Sequence, residues 1–146
     1  MEHTYKKILP EDLFVSLFER AATEEERWKG MPQMMTGNWP SGCIFMDCFA
    51  RLVHRYQHAD IRQYGKMLGL SANMLAATVH ALSGIEAAEW RDRYVMLGAR
   101  ELLLTTDLSI TEIAKRLGFV KCTTFSRFFS SQTKISPKVW RYRHKR

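Results

Sequence analysis

The stretch ITEIAKRLGFVKCTTFSRFF, residues 110–129, decides how this chain is read. Ser109 stands ahead of it as an N-cap, an apolar helix runs to Leu117, Gly118-Phe119 makes a turn, and a second helix follows. Counted from Cys122 at ~100° per residue, Phe125 and Phe129 fall on one side with Phe128 flanking. Thr123, Arg127, Ser130 and Ser131 fall almost opposite. The phenylalanines read as core. The opposite row is short and polar, a surface that lets a partner approach closely.

Residues 60–84, DIRQYGKMLGLSANMLAATVHALSG, follow the same plan. A short amphipathic helix reaches a Gly69-Leu70 turn, Ser71 caps a second helix, and Gly84 ends it. In both stretches two short helices joined by a glycine-containing turn read as a helix-turn-helix. Gly69 and Gly118 stand 49 positions apart, the signature of a duplicated unit. Between the copies, EAAEWRDRYVMLGARELLLTT (86–106) reads as one long helix. No strand-like alternation stands out, so the expected fold class is all-α.

Charge separates the copies. Residues 1–59 carry eight acids against seven Lys/Arg, and residues 60–107 six against five. Residues 108–146 carry only Glu112 against ten Lys/Arg, so the whole excess behind the net +7 lies in the last quarter. A basic end of this kind suits a polyanion, because neutralising phosphates supplies most sequence-independent nucleic-acid affinity.

Residues 9–29 read as an amphipathic helix entered at Pro10, with Leu13, Phe14, Leu17, Phe18 and Ala21 at helical spacing. This stripe is expected to pack on the rest of the chain. GMPQMMTGNWPSG, residues 30–42, reads as a loop. A further helix is expected from about Cys43 to His58, with Phe45, Cys48, Phe49, Leu52, Val53 and Tyr56 inward and Asp47, Arg51, His54 and His58 outward. Cys43, Cys48, His54 and His58 invite a zinc reading. On one helix, however, Cys43 and His54 lie ~16 Å apart, too far for one tetrahedral site. The histidines read as solvated, and no metal site or cofactor is expected. There is no Ser/His/Asp or Cys/His arrangement and no phosphate-cradling glycine loop, so an enzyme is not expected. No apolar run is long enough for a membrane span and no secretory signal opens the chain. With three cysteines and no disulfide framework, a cytoplasmic setting is expected.

Residues 60–142 resemble the DNA-binding domain of AraC/XylS-family transcription regulators. The resemblance is carried by Ile110, Glu112-Ile113-Ala114, Gly118-Phe119, Phe125-Ser126-Arg127, Phe129, Ser136-Pro137 and Trp140-Arg141. Ala99, Leu102-Leu103 and the stretch from Thr106 to Ile110 also fit. The first unit matches more loosely through Leu68-Gly69, Ser71, Leu75 and Gly84. Several positions depart from that pattern: Ala77 and Val95 stand where basic residues are usual, Ser130-Ser131 where a lysine pair is usual, and Lys134 where glycine is common.

The resemblance implies two helix-turn-helix subdomains joined by a linker helix, each placing a recognition helix in the major groove. Expected boundaries are 1–43 for an N-terminal helical extension and loop, 44–84 for the first subdomain, 85–106 for the linker helix and 107–146 for the second. Base-edge candidates in the second recognition helix are Lys121, Cys122, Thr123, Thr124 and Arg127. In the first, with softer contacts, they are Asn73, Met74, Ala77 and His80. Phosphate candidates are Ser109, Lys115, Ser130, Ser131, Lys138 and Arg141. The partner this implies is double-stranded DNA, with RNA polymerase as a second candidate and the choice between monomer and homodimer open. A protein-interaction module that keeps the fold without independent DNA affinity is the alternative. It is motivated by the absence of any Lys or Arg between Lys66 and Arg91.

Overall fold

A computed structural model describes residues 7–15 and 43–145. Among them lie eight helices and no strand: α1 (Pro10–Leu13), α2 (Ile44–Tyr56), α3 (Ile61–Leu68), α4 (Ala72–Ser83), α5 (Ala87–Thr105), α6 (Ile110–Arg116), α7 (Cys122–Thr133) and α8 (Pro137–His144). Short polar side chains set the helix starts. Ser71 Oγ accepts from the Met74 N–H at 3.1 Å, Ser109 Oγ from Glu112 at 3.1 Å, and Ser136 Oγ from Val139 at 3.2 Å. Each satisfies one amide that the first helical turn leaves unpaired.

Two apolar cores form, and α5 enters both. Its first half gives Trp90 and Tyr94 to a cluster with Phe49, Tyr64, Leu75 and Val79. Its second half gives Ala99, Leu102 and Leu103 to a cluster with Ile113, Phe125 and Phe129.

The duplication reaches further than the helix-turn-helix pair. Trp90-Arg91 on α5 and Trp140-Arg141 on α8 stand 50 positions apart and play the same parts. Each tryptophan is buried in its own core. Each arginine donates to the carbonyl that precedes the N-cap of the first helix of its unit: Arg91 to Ala59 O at 2.8 Å, Arg141 to Leu108 O at 2.7 Å. The copies differ in the turn. Gly69 and Gly118 are 49 apart, whereas α4 and α7 start 50 apart, so the second turn is one residue longer. Val120, in that longer turn, is 94% exposed.

The two second helices end alike but with different residues. Gly84 closes α4 at φ 80, and Lys134 closes α7 at φ 71. A left-handed backbone crowds any Cβ, which is why glycine usually holds this place. Lys134→Gly should therefore raise stability by about 0.5–1 kcal/mol, after subtracting the extra chain entropy of glycine. Urea unfolding reads this, and an unchanged or lower midpoint would count against strain at Lys134.

Several sequence expectations are corrected. Of the helix expected over 9–29 only residues 9–15 are described: one turn forms over Pro10–Leu13, and Phe14 leaves it extended at ψ 130. Long-range contacts hold residues 8–15 instead. Ile8 N–H donates to Leu82 O at 3.1 Å, Trp90 Nε1 to Ile8 O at 3.0 Å, and Val15 N–H to Tyr94 Oη at 3.3 Å. Phe14 meets the Tyr94 ring edge-on at 5.3 Å. Leu13 and Phe14 thus pack within the chain, as expected, while Leu17, Phe18, Ala21 and the 30–42 loop lie outside the described residues.

The helix expected to reach His58 ends at Tyr56, because Gln57 adopts φ 54 and ψ −122 and turns the chain away. The histidines are therefore not solvated neighbours on one helix face. His54 is half-buried with Nδ1 2.9 Å from Tyr94 Oη, and the His58 ring stacks on Phe119. Asp47, also expected outside, is buried in the first turn of α2, where the positive helix end favours a carboxylate. Among the described residues no three His, Cys, Asp or Glu gather where a metal ion could bind, and no helix is long and apolar enough to cross a membrane.

Candidate nucleic-acid interface

α7 is pinned from one side only. Phe125 and Phe129 are fully buried, with ring centroids 5.9 Å apart, and Phe129 meets Trp140 edge-on at 5.7 Å. With these two anchors one turn apart, the opposite side of the helix must face outward. Lys121, Thr123, Thr124, Arg127 and Ser131 are exposed there, and Cys122 and Ser130 are half-buried. The face is narrow and short-chained apart from Lys121 and Arg127, so it can approach the edges of stacked bases.

Arg127 is available. The ion pairs among the described residues include Arg91–Asp92, Arg93–Glu11 and Lys145–Asp107, His58 lies 3.6 Å from Asp92, and Arg127 belongs to none of these contacts. Lys115, Lys121 and Lys138 are likewise exposed and outside these pairs. The second unit thus presents cations that no carboxylate of the described residues neutralises.

α4 has the same build with less charge. Leu75 and Val79 are buried, and Asn73, Met74, Ala77, His80 and Ala81 are exposed. Met74 is 56% exposed at the start of the helix. Its outward face carries no Lys or Arg at all. Ser71 and Ser109 occupy equivalent caps, both exposed with the hydroxyl oxygen held by a backbone amide.

One phosphate candidate has carbonyl partners within the chain. The Arg141 guanidinium donates to Leu103 O at 3.0 Å, Leu108 O at 2.7 Å, Thr106 O at 3.2 Å and Leu102 O at 3.5 Å. It caps the end of α5 and fastens the 106–108 link, half-buried on these carbonyls. Ser131 turns its hydroxyl back to Phe128 O at 2.6 Å, leaving the oxygen lone pairs outward. Lys138 remains on the surface in the first turn of α8. The structural role of Arg141 had a visible signal: WRDRY (90–94) and WRYRH (140–144) repeat at the period of the helix-turn-helix units.

Comparison with known proteins agrees with this architecture. A family profile described as a helix-turn-helix domain matches residues 64–143. The chain is 35% identical over 82 residues to the transcriptional activator NphR of a Rhodococcus species, covering 54% of this chain and 24% of that protein. It is 31% identical over 84 residues to the arabinose operon regulatory protein of Salmonella typhimurium, covering 58% of this chain and 30% of that one. The chain therefore spans about a quarter to a third of the length of these curated relatives. Among solved structures, the C-terminal domain of the response regulator yesN from Fusobacterium nucleatum superposes with a TM-score of 0.62 at 24% identity, covering 68% of this chain and 99% of that one. The DNA-binding domain of AdpA, solved in complex with a target DNA, gives a TM-score of 0.55 at 26% identity, covering 62% and 82%. With its duplicated units, shared α5 and matching profile, the chain belongs to the AraC-type helix-turn-helix family.

Proposed function

We propose that the protein is a sequence-specific DNA-binding transcription regulator that sets α7 in a major groove and uses α4 for softer contacts nearby. The observation that carries this is the outward face of α7. There Thr123, Thr124 and Arg127 are exposed beside a phenylalanine-anchored core, and Arg127 is bound to no carboxylate. Arg127 reads guanine O6 and N7 from this position, and Lys121, Thr123 and Thr124 flank it. Lys115 and Lys138, with Ser109, Ser130 and Ser131, contact phosphates and set the register without reading sequence. On α4, Asn73 pairs with adenine, Ala77 touches a thymine methyl, and Met74 and His80 border them. RNA polymerase is the further partner such a regulator implies. A binding module without DNA affinity is the second reading, favoured by the uncharged outer face of α4.

Selection of bound duplexes from random sequence, followed by titration at moderate salt, tests the proposal. The wild-type protein should enrich one motif; enrichment of none sinks the specific reading. On the enriched duplex, Arg127→Ala should cost about 1–3 kcal/mol and relax preference at one position. Lys138→Ala should weaken all duplexes nearly alike and reduce the salt slope by about 1. Equal losses on selected and random DNA would move Arg127 to the phosphate set.

A further inference from the structure

Among the described residues the two units are joined both by a helix and by a turn. The covalent connection is α5, 19 residues long and so ~28 Å at 1.5 Å per residue. A lone helix of this length bends, and a single rod leaves rocking and twisting open between the bodies at its ends. The second connection runs through residues 57–59. Gln57 leaves the helical conformation with its side chain buried, and the turn carries His58 across to the second unit. There the His58 N–H donates to Leu117 O at 3.0 Å. Its ring lies flat on Phe119, with centroids 4.4 Å apart and planes 19° apart, and edge-on to Phe128 at 5.2 Å.

Both phenylalanines belong to the machinery that sets α7. Phe119 lies in the turn and packs on Phe125 at 5.3 Å, and Phe128 lies within α7 itself. The backbones meet as closely as the rings. A Cβ on Gly118, which has φ +84, would fall 3.0 Å from Tyr56 O and 3.1 Å from His58 N. The charged groups at His58 both come from α5. Asp92 Oδ1 is 3.6 Å from His58 Nε2, and Arg91 holds Asp92 at 2.8 Å and Ala59 O at 2.8 Å. Burial holds the imidazole below the usual histidine range, Arg91 pushes the same way and Asp92 opposes.

We propose that His58 is a positioning residue that clamps the second helix-turn-helix against the first, so that α4 and α7 accept only one spacing between their half-sites. The inference rests on the DNA-binding reading for its consequence, but the clamp itself is a property of the free protein. It places a specificity determinant far from any base, because two tethered readers lose their mutual advantage when the tether no longer fits the span.

Two measurements test it on the whole chain. In the first, spin labels are placed through non-natural amino acids at Ala81 and Ser131, both exposed, and the distance distribution is recorded without DNA. Wild type should give one narrow peak, His58→Ala a broad one, and His58→Phe, which keeps the stack, a narrow one again. Equal widths in wild type and His58→Ala would overturn the clamp whatever the protein binds.

In the second, the selected duplex is lengthened by one or two base pairs between its half-sites. Wild type should lose about tenfold or more in affinity, and His58→Ala only about threefold or less, with a single half-site bound alike by both. His58→Phe should restore the wild-type penalty. If His58→Ala keeps that penalty, the positioning role fails. Melting curves show whether His58→Ala is folded, and if it is not, His58→Asn replaces it in both measurements. A wild type that selects no sequence would end the DNA reading, and the distance distributions would still decide the clamp.

Discussion

Trp90→Ala is expected to lower the stability of the protein by about 3–5 kcal/mol, the range for removing a large aromatic side chain from a packed core. Trp90 is fully buried, tilted against Phe49 with centroids 5.1 Å apart and stacked on Tyr94 at 5.9 Å. Its indole N–H also donates to Ile8 O, so the truncation opens a cavity and removes one of the bonds that fasten residues 7–15. Domains of this size hold only ~5–15 kcal/mol in total, so the variant should sit near the edge of folding at room temperature. Guanidinium unfolding followed by far-UV circular dichroism measures the loss. Trp90→Phe keeps much of the ring volume but not the N–H donor, and should fall between the two. An alanine variant within about 1 kcal/mol of wild type would contradict the packing described for the first core.

Arg141→Met should cost about 2–4 kcal/mol of stability while leaving the salt dependence of DNA binding unchanged. The methionine fills similar space, but the carbonyls of Leu103, Thr106 and Leu108 lose a charged donor in a half-buried place. Arg141→Lys should recover only part of the loss, because one ammonium cannot span carbonyls that a planar fork reaches together. The salt slope separates this role from a phosphate contact. A residue that neutralises a phosphate takes about one unit of slope with it when removed. A stable Arg141→Met protein with a shallower slope would return Arg141 to the DNA-facing set.

The parts of the fold that local chemistry decides were open to reading from the sequence. Ser71, Ser109, Gly69, Gly84 and Gly118 mark helix starts and ends wherever they stand, and the structure uses each of them there. The outward faces of α4 and α7 follow from helical spacing once Leu75, Val79, Phe125 and Phe129 are taken as core. What escaped depends on partners distant in the chain. α1 stops after one turn because Tyr94, 79 positions beyond Val15, supplies the hydrogen bond that further helix would have given. His58 leaves α2 because a stack on Phe119 and a bond to Leu117 hold it elsewhere, and nothing in residues 43–58 announces either. Arg141 looked like one more cation in a basic tail. Its pairing with Arg91 was printed in the sequence, but at a period noticed only through the glycines and serines of the turns.

Neither half of the molecule owns α5. Trp90 and Tyr94 complete one core, and Leu102 and Leu103 the other, within a single uninterrupted helix. A protein of two separately closed bodies could lose one and keep its neighbour. Here the last wall of the first body and the first wall of the second are one piece of backbone, so melting either end unseats the other. The pair should gain and lose its structure in a single step, and a cell would meet this protein with both helix-turn-helix units formed or with neither.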